Sequence, residues 1–153
     1  MGSEDGNTGM SDFRKLSDDV LTSPQLTLED VEQARLQGVR LIINNRPEGE
    51  AEDQTPGSAI EAAARAAGMD YTAIPIGHTG FGEAQVHAMC NSLAAAQGKA
   101  LAYCRSGTRS TLLWALARCA SGDNPQDVAE AAAAAGYDVA PIRGAMETLA
   151  SSR

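Results

Sequence analysis

One stretch organises this chain: Ala100-Leu101-Ala102-Tyr103-Cys104-Arg105-Ser106-Gly107-Thr108-Arg109-Ser110-Thr111-Leu112-Leu113-Trp114. A short apolar run comes first, polar residues and one glycine follow, and an apolar pattern with helical spacing ends the stretch. This order predicts a strand, a tight turn and the N-terminus of a helix. A helix start offers backbone N–H groups without intrahelical partners and the positive end of the helix dipole. The stretch therefore predicts an anion-binding loop.

Cys104 begins the polar part of this loop, and we expect it at the mouth of the anion cradle. Arg105 and Arg109 follow it closely, and positive charge beside a helix N-terminus favours a thiolate over a thiol. Gly107 lets the backbone fold inward because it carries no side chain. The alternative is a structural cysteine at a strand end with solvated arginines. The glycine turn with two arginines favours a nucleophilic sulfur that faces an oxyanion or a persulfide.

Composition limits the classes of partner. The chain has 153 residues, enough for one domain with a substantial core. Its net charge of −8, from 12 basic and 20 acidic residues, argues against nucleic acid or an anionic membrane as a partner. The sequence shows neither an apolar run long enough for a membrane span nor a signal-peptide pattern at its start. We therefore predict a cytoplasmic protein.

The remaining global features concern cysteines and domain limits. Cys90, Cys104 and Cys119 are odd in number and have no CxxC spacing, so we predict neither a disulfide framework nor a metal site, and no cofactor. Residues 1–11 are rich in Gly, Ser, Asp and Asn without apolar periodicity. We interpret them as a disordered lead or an expression-vector remnant, and residues 12–153 as a single domain.

Strands and helices alternate outward from the central stretch. Thr27 and Asp30 resemble a capping pair ahead of a helix over 28–37, and the β-branched run Val39–Asn44 predicts a buried parallel strand. Further helices are predicted over 58–67, 83–97, 109–120, 126–135 and 141–151, the last with Ile142, Ala145, Met146 and Leu149 inward. Further strands are predicted over 19–22, short enough for a sheet edge, and 71–76. This alternation predicts an α/β fold with a mostly parallel central sheet flanked by helices on both faces.

The loops that follow parallel strands gather at one edge of the sheet, where ligands bind. Three loops should converge there, over residues 44–50, 76–83 and 104–109. Arg46 on the first loop reaches the substrate while Glu48 or Glu50 holds it. The alternative is that it forms an ion pair on the surface of the loop. His78 on the second loop is either a proton donor or a solvated residue.

The sequence Cys-Arg-Ser-Gly-Thr-Arg-Ser at Cys104–Ser110 resembles the anion-binding cysteine loop of protein tyrosine phosphatases and rhodanese-type sulfurtransferases. Together with Ile43-Asn44-Asn45-Arg46-Pro47-Glu48-Gly49-Glu50, it makes about residues 12–125 similar to a small bacterial phosphatase-like family. That family also occurs as a domain beside beta-lactamase-like hydrolases. The resemblance implies a protein-tyrosine-phosphatase-like fold. In related loops a hydroxyl at the position of Ser110 bonds the cysteine sulfur, and here it does so or caps the helix.

Two features bear on the reaction. Four residues separate Cys104 from Arg109, as in rhodanese-type loops, whereas phosphatases of this type have five. The shorter ring should fit a persulfide sulfur better than phosphate, with Arg105 at the mouth. Its N–H donors are expected on Ser106, Gly107, Thr108 and Arg109. The loop 76–82 also lacks the Asp that phosphatases use as general acid, and His78 and Glu83 are the only substitutes.

These features favour a sulfurtransferase. Cys104 would take a sulfur from a small sulfane donor and pass it to an acceptor thiol or cyanide, with Arg109 orienting the charged persulfide. The alternative is a cysteine-dependent phosphatase acting on a phosphate ester through a phosphocysteine, with His78 or Glu83 protonating the leaving oxygen. A third alternative is a catalytically silent anion-binding or regulatory domain, because a family resemblance does not prove turnover.

Overall fold

A central five-stranded sheet forms the frame of the molecule. The computed structural model describes residues 11–152, so the predicted lead, apart from Ser11, lies outside the described residues. The strands are β1 (Arg14–Ser17), β2 (Val20–Ser23), β3 (Val39–Asn44), β4 (Asp70–Ala73) and β5 (Lys99–Tyr103). Their spatial order is β1-β2-β5-β3-β4, with β1 antiparallel to β2 and the other pairs parallel. The predicted mostly parallel α/β fold is confirmed.

Helices alternate with the strands from β2 onward, and two further helices follow the one after β5. Their bounds are α1 (Leu28–Leu36), α2 (Gly57–Ala66), α3 (Glu83–Ala95), α4 (Thr108–Ala120), α5 (Pro125–Ala134) and α6 (Arg143–Ser151), and a 3-10 turn over Ala140–Ile142 precedes α6. The capping pair is confirmed, because Thr27 and Asp30 exchange side-chain-to-backbone hydrogen bonds at the start of α1. Asn124 likewise accepts the first free N–H groups of α5.

The two faces of the sheet bury separate apolar clusters. On one face α1 and α2 pack with Val31 and Ile60 against Ile42 of β3. On the other face α3 to α6 cover the sheet, and Met89 and Leu113 belong to that cluster. Nine residues of α4 are buried, which makes it the most enclosed helix of the described part. The loop that precedes α4 therefore ends at a helix that is packed on most of its sides.

Two details of the strand prediction and one of the last helix were wrong. Strand β2 is interior and β1 forms the edge beside it, because Arg14–Ser17 carries one apolar residue, Leu16, and gives no strand pattern. Strand β4 ends at Ala73 instead of residue 76, and Pro75 lies beyond it at the sheet edge, where its missing N–H breaks no bond to β3. On α6, Met146 is fully buried as expected, whereas Ala145 is exposed because it lies one position away from the buried face.

The carboxyl ends of the parallel strands converge as predicted. Ile74 and Ile76 beyond β4 donate their N–H groups to the carbonyls of Asn44 and Asn45 beyond β3. Within the described residues, none of the helices has both the length and the apolar character needed to cross a lipid bilayer.

Candidate active site

The loop after β5 is fixed by the strands on either side of it. The N–H of Cys104 donates to the Ser23 carbonyl at 3.4 Å, and the N–H of Gln25 donates to the Arg105 carbonyl at 3.2 Å. On the other side, the N–H of Asn45 donates to the carbonyl of Tyr103 at 2.8 Å. The loop over residues 104–107, which we call the cysteine loop, thus begins as a continuation of the central strand.

The sulfur of Cys104 lies at the base of this loop. Cys104 is 0% exposed, whereas Arg105, Ser106 and Thr108 are exposed around it. The expectation that the cysteine lies at the mouth of the cradle was wrong, because its backbone still takes part in the sheet. The N–H of Gly107 donates to Cys104 Sγ at 3.1 Å, so a backbone donor does face the sulfur.

Within the described residues, Gly107 is the one member of the predicted ring whose N–H is hydrogen-bonded to the sulfur. The N–H of Thr108 donates to Ser106 Oγ at 3.3 Å, and the Ser106 hydroxyl donates to Thr108 Oγ1. The Gly107 carbonyl accepts hydrogen bonds from the hydroxyls of Thr22 and Thr111. These bonds hold the glycine at the N-cap of α4 with a φ of 92°, a left-handed conformation.

Alanine at Gly107 should destabilise the fold more than alanine at Gly38. Both glycines have positive φ, but a Cβ at Gly38 meets open space whereas one at Gly107 would overlap the Tyr137 hydroxyl. The left-handed backbone costs a non-glycine residue roughly 1–2 kcal/mol at either site, and the overlap adds about 1–3 kcal/mol at Gly107. Urea unfolding of Gly107→Ala and Gly38→Ala measures this difference, and equal losses would contradict it.

Arg109 is held by a carboxylate and a carbonyl from two other loops. Its Nη1 donates to Glu50 Oε2 at 2.6 Å and to the Ile76 carbonyl at 2.8 Å, and its Nη2 donates to Glu50 Oε1 at 2.9 Å. A guanidinium has five N–H donors. Within the described residues these three bonds leave the Nε–H and one Nη2–H, which lie on the same side of the group. That side is suited to bidentate binding of an anion.

Two arginines keep the Glu50 carboxylate ionised. The hydrogen bond from Arg109 is the main cause, with a further one from Arg46 Nε at 2.8 Å, and they lower the pKa of Glu50 to about 2. Reciprocally, Glu50 raises the pKa of Arg109, and the nearby charge of a Cys104 thiolate adds to that rise. Glu50 therefore acts as a permanent anion that fixes Arg109, and it cannot serve as a proton donor near neutral pH.

Glu50 should make stability depend on pH in the acid range. Its folded pKa of about 2 lies below the ordinary 4.5, so its stabilisation is present above the ordinary value and is lost as pH falls through the folded value. Because Glu50 is partly exposed, solvent screening reduces what this shift contributes to the free energy of unfolding, and we expect about 1–2 kcal/mol. We expect Glu50→Gln to lower the free energy of unfolding by this amount near neutral pH. At about pH 3 the loss should be smaller, because most of the contribution is already absent from the parent protein there.

Urea unfolding at the two pH values measures the effect of Glu50→Gln. The matched control is Glu61→Gln, which removes an exposed ion pair with Arg65 and should change stability by less than about 1 kcal/mol. An equal loss for Glu50→Gln at both pH values would contradict the assignment.

Arg46 forms the expected ion pair with Glu50, but its side chain is buried instead of lying on the surface. Its side chain is 5% exposed and bonds to Glu50 and to Gln25 Oε1, the latter at 3.0 Å. Glu48 does not hold it, because the Glu48 carboxylate accepts the N–H of Gly57 at the start of α2. Arg46 is thus a buried support for the carboxylate that positions Arg109.

Ser110 has a different partner from either one expected. It lies in the first turn of α4, fully buried, and its hydroxyl donates to Asn45 Oδ1 at 2.7 Å. The N-cap position belongs to Gly107 instead. Because Asn45 follows β3 directly, the Ser110 bond ties the start of α4 to the neighbouring strand rather than to the sulfur.

The two candidate proton donors, His78 and Glu83, are both exposed. His78 lies on the loop after β4, and Glu83 is the first residue of α3. Neither side chain has a hydrogen-bond or ion-pair partner among residues 11–152. The loop of His78 starts at Ile76, whose carbonyl binds Arg109, so the structure brings the start of this loop to the site.

Sequence reasoning missed several residues at this site. Glu50 entered only as a possible partner of Arg46, and its pairing with Arg109 spans 59 positions. Asn45 and Tyr137 were not singled out, although the Tyr137 hydroxyl donates to the Ser106 carbonyl at 3.1 Å. A cluster of polar residues directly after β3 was the one available signal for Asn45, and no local pattern marked Tyr137.

Comparison with known families places this geometry among phosphatase-like domains. Residues 12–121 match the family model described as "Beta-lactamase hydrolase-like protein, phosphatase-like domain". A Beta-lactamase hydrolase-like protein of Xylella fastidiosa (strain Temecula1) is 40% identical over 103 residues, which are 67% of this chain and 24% of that protein. The chain thus spans about a quarter of the length of the curated relatives it matches.

Solved structures agree with this placement. A crystal structure of a candidate phosphatase from Neisseria meningitidis Z2491 superposes with a TM-score of 0.80 at 31% identity, covering 92% of this chain and 99% of that one. The active form of Tk-PTP superposes with a TM-score of 0.72 over 93% of this chain and 97% of that one. Its identity is 11%, so this likeness shows the fold alone, which is that of the protein tyrosine phosphatases.

Proposed function

We infer the function from one premise: the chain belongs to the family of the phosphatase-like domain of beta-lactamase hydrolase-like proteins. We propose that it is a cysteine-dependent phosphatase that hydrolyses a phosphate ester through a phosphocysteine on Cys104. Two features of the site carry the proposal. The Cys104 sulfur accepts a hydrogen bond from a backbone N–H, and the donors of Arg109 that Glu50 and Ile76 leave free lie on one side of its guanidinium. The sulfurtransferase predicted from loop length has less support, because the comparisons are with phosphatase-like proteins.

In the first half-reaction the Cys104 thiolate attacks phosphorus. The S–P bond forms while the P–O bond to the leaving group breaks, and the leaving oxygen takes a proton from an acid. The free Nε–H and Nη2–H of Arg109 would bind two phosphoryl oxygens, and the N-terminal dipole of α4 adds positive potential. Water then attacks phosphorus, the S–P bond breaks, and inorganic phosphate leaves with the thiolate restored.

The proton donor is proposed to be His78 or Glu83. Glu50 is excluded from this role because the two arginines keep it ionised. His78 lies two residues beyond Ile76, whose carbonyl is fixed by Arg109, so a modest movement of its loop would suffice to approach a leaving group. Because Cys104 is fully buried, the cysteine loop must also open as the phosphoryl group enters.

Sulfur transfer is the second candidate, and the four-residue spacing between Cys104 and Arg109 favours it. The thiolate would attack the outer sulfur of thiosulfate, the S–S bond of the donor would break, and sulfite would leave. An acceptor thiol or cyanide would then remove that sulfur from the Cys104 persulfide and restore the thiolate. This route has a sulfur leaving group and needs no general acid.

The group trapped on Cys104 tests the two candidates. The protein is incubated with p-nitrophenyl phosphate or with thiosulfate, quenched, and digested for mass spectrometry of the Cys104 peptide, and turnover is measured in parallel. A phosphorylated Cys104 with release of nitrophenol supports the phosphatase. An added sulfur on Cys104, with turnover of thiosulfate and cyanide but not of p-nitrophenyl phosphate, would overturn the phosphatase proposal in favour of sulfur transfer. Neither adduct nor turnover in the folded protein would overturn both.

A further inference from the structure

One peptide bond of the cysteine loop is engaged from both ends. The N–H of Gly107 donates to Cys104 Sγ at 3.1 Å, and the carbonyl of Ser106, in the same peptide unit, accepts from the Tyr137 hydroxyl at 3.1 Å. The described residues contain no cis peptide bond, so this carbonyl and this N–H point in opposite directions. A continuous chain of hydrogen bonds thus runs from Tyr137 through one amide to the sulfur.

We propose that Tyr137 is a positioning residue that directs and polarises the Ser106–Gly107 peptide toward Cys104 and so favours its thiolate. A hydrogen bond accepted by an amide carbonyl makes the N–H of that amide a stronger donor. The bond from the Tyr137 hydroxyl also fixes the plane of the peptide, so the Gly107 N–H stays directed at the sulfur. Tyr137 lies beyond residues 12–121, the part that matches the family model.

Tyr137 is itself held in place. Its N–H donates to the Ala132 carbonyl at the end of α5, and the Arg14 guanidinium lies 5.3 Å from the centre of its ring. Arg14 also donates to the Ala135 carbonyl at 3.2 Å. Burial raises the pKa of Tyr137, so the hydroxyl keeps its proton and remains a donor. Gly107 fits the contact because a Cβ there would overlap the hydroxyl.

Other groups also act on the sulfur and must be kept constant. Arg109 interacts with the charge of Cys104 and is itself paired with Glu50, and Tyr137 is the other titratable group coupled to that charge. Arg105 is the next residue in the chain and is exposed. Tyr137→Phe leaves the charges of Arg109, Glu50 and Arg105 unchanged. It also retains the aromatic ring beside Arg14, so it removes the hydroxyl alone.

The experiment measures alkylation of Cys104 by iodoacetamide across pH, resolved by peptide mass spectrometry, in the parent protein and in Tyr137→Phe. We expect Cys104 to react about threefold to tenfold more slowly at a given pH below its plateau, as the worth of one hydrogen bond implies. The profile should move to higher pH and reach a similar plateau. Cys90, half-buried on α3, is the internal control, and its rate should not change. The thiolate absorbance, measured against Cys104→Ser, gives an independent pH profile.

Tyr71→Phe is the matched control variant. It removes a hydroxyl that accepts from Asn44 Nδ2 at 3.0 Å and lies beside the Tyr103 hydroxyl. Within the described residues this hydroxyl forms no hydrogen bond with the cysteine loop, so the Cys104 profile should stay unchanged. An unchanged profile in Tyr137→Phe would overturn the proposal. So would a pH-independent change shared by Cys90, or a variant that fails to fold, since either would show a purely structural role. The proposal rests on the proposed nucleophile, but alkylation does not depend on turnover. A failed phosphatase assay and a failed Tyr137 test are therefore distinguishable.

Discussion

Replacement of Cys104 by serine is expected to abolish turnover of p-nitrophenyl phosphate, a loss of at least about 10⁴-fold in kcat. A serine hydroxyl is not ionised near neutral pH. Backbone N–H donors and an arginine stabilise an anion but cannot remove the hydroxyl proton. Steady-state kinetics measures the loss, and the sulfurtransferase alternative requires the same loss with thiosulfate and cyanide.

Cys90→Ser is the matched control for this result. Cys90 is the half-buried cysteine of α3, and its thiol lies near the Ala117 carbonyl and the Ser121 hydroxyl, at the end of α4 distant from the cysteine loop. We expect this variant to retain the turnover of the parent protein. Full activity in a correctly folded Cys104→Ser, shown by an unchanged circular dichroism spectrum, would contradict the assignment of the nucleophile.

Arg109→Lys is expected to reduce kcat/KM by about 10²–10³-fold, the usual cost of losing a transition-state donor. A lysine ammonium is a point charge. It cannot bond both oxygens of Glu50 and the Ile76 carbonyl while presenting two parallel donors to a phosphoryl group. Kinetics with p-nitrophenyl phosphate measures the change.

Arg118→Lys provides the control for Arg109. Arg118 lies on the same helix, α4, and pairs with Asp123 at its far end. Its replacement should leave kcat/KM within about twofold, because a partly exposed ion pair contributes little. If Arg109→Lys and Arg118→Lys had equal effects, the special role of the Arg109 guanidinium would be contradicted.

The elements that the sequence predicted well are those with strong local signals. Helix α1 has a capping pair at its start, strand β3 is a β-branched run, and the cysteine loop lies between an apolar strand and an amphipathic pattern. The predicted helix bounds differ from the observed ones by at most two residues, and β3 has the predicted bounds. Strand β1 was missed because three of its four residues are polar, and its pairing with β2 rests on backbone hydrogen bonds.

At the site, local sequence indicated the presence of Cys104 and Arg109 on one loop but not the surroundings of either. The pattern placed the sulfur at the mouth of the cradle, and the sheet ladder places it at the base. Ser110 was expected to serve the sulfur or the helix end, and it bonds instead to Asn45, 65 positions away. The short spacing of Cys104 and Arg109 indicated a reaction that the family comparisons do not favour.

By itself the sequence determined the alternation of strands and helices, the mostly parallel sheet and the identity of the cysteine loop. These follow from periodicity, capping and turn residues, which act over a few neighbours along the chain. Only the tertiary structure decided that Glu50 clamps Arg109 and that Tyr137 bonds the cysteine loop, across 59 and 31 positions. These contacts depend on which strand ends and helix ends lie together at one edge of the sheet. The spacing of residues along the chain does not determine that arrangement.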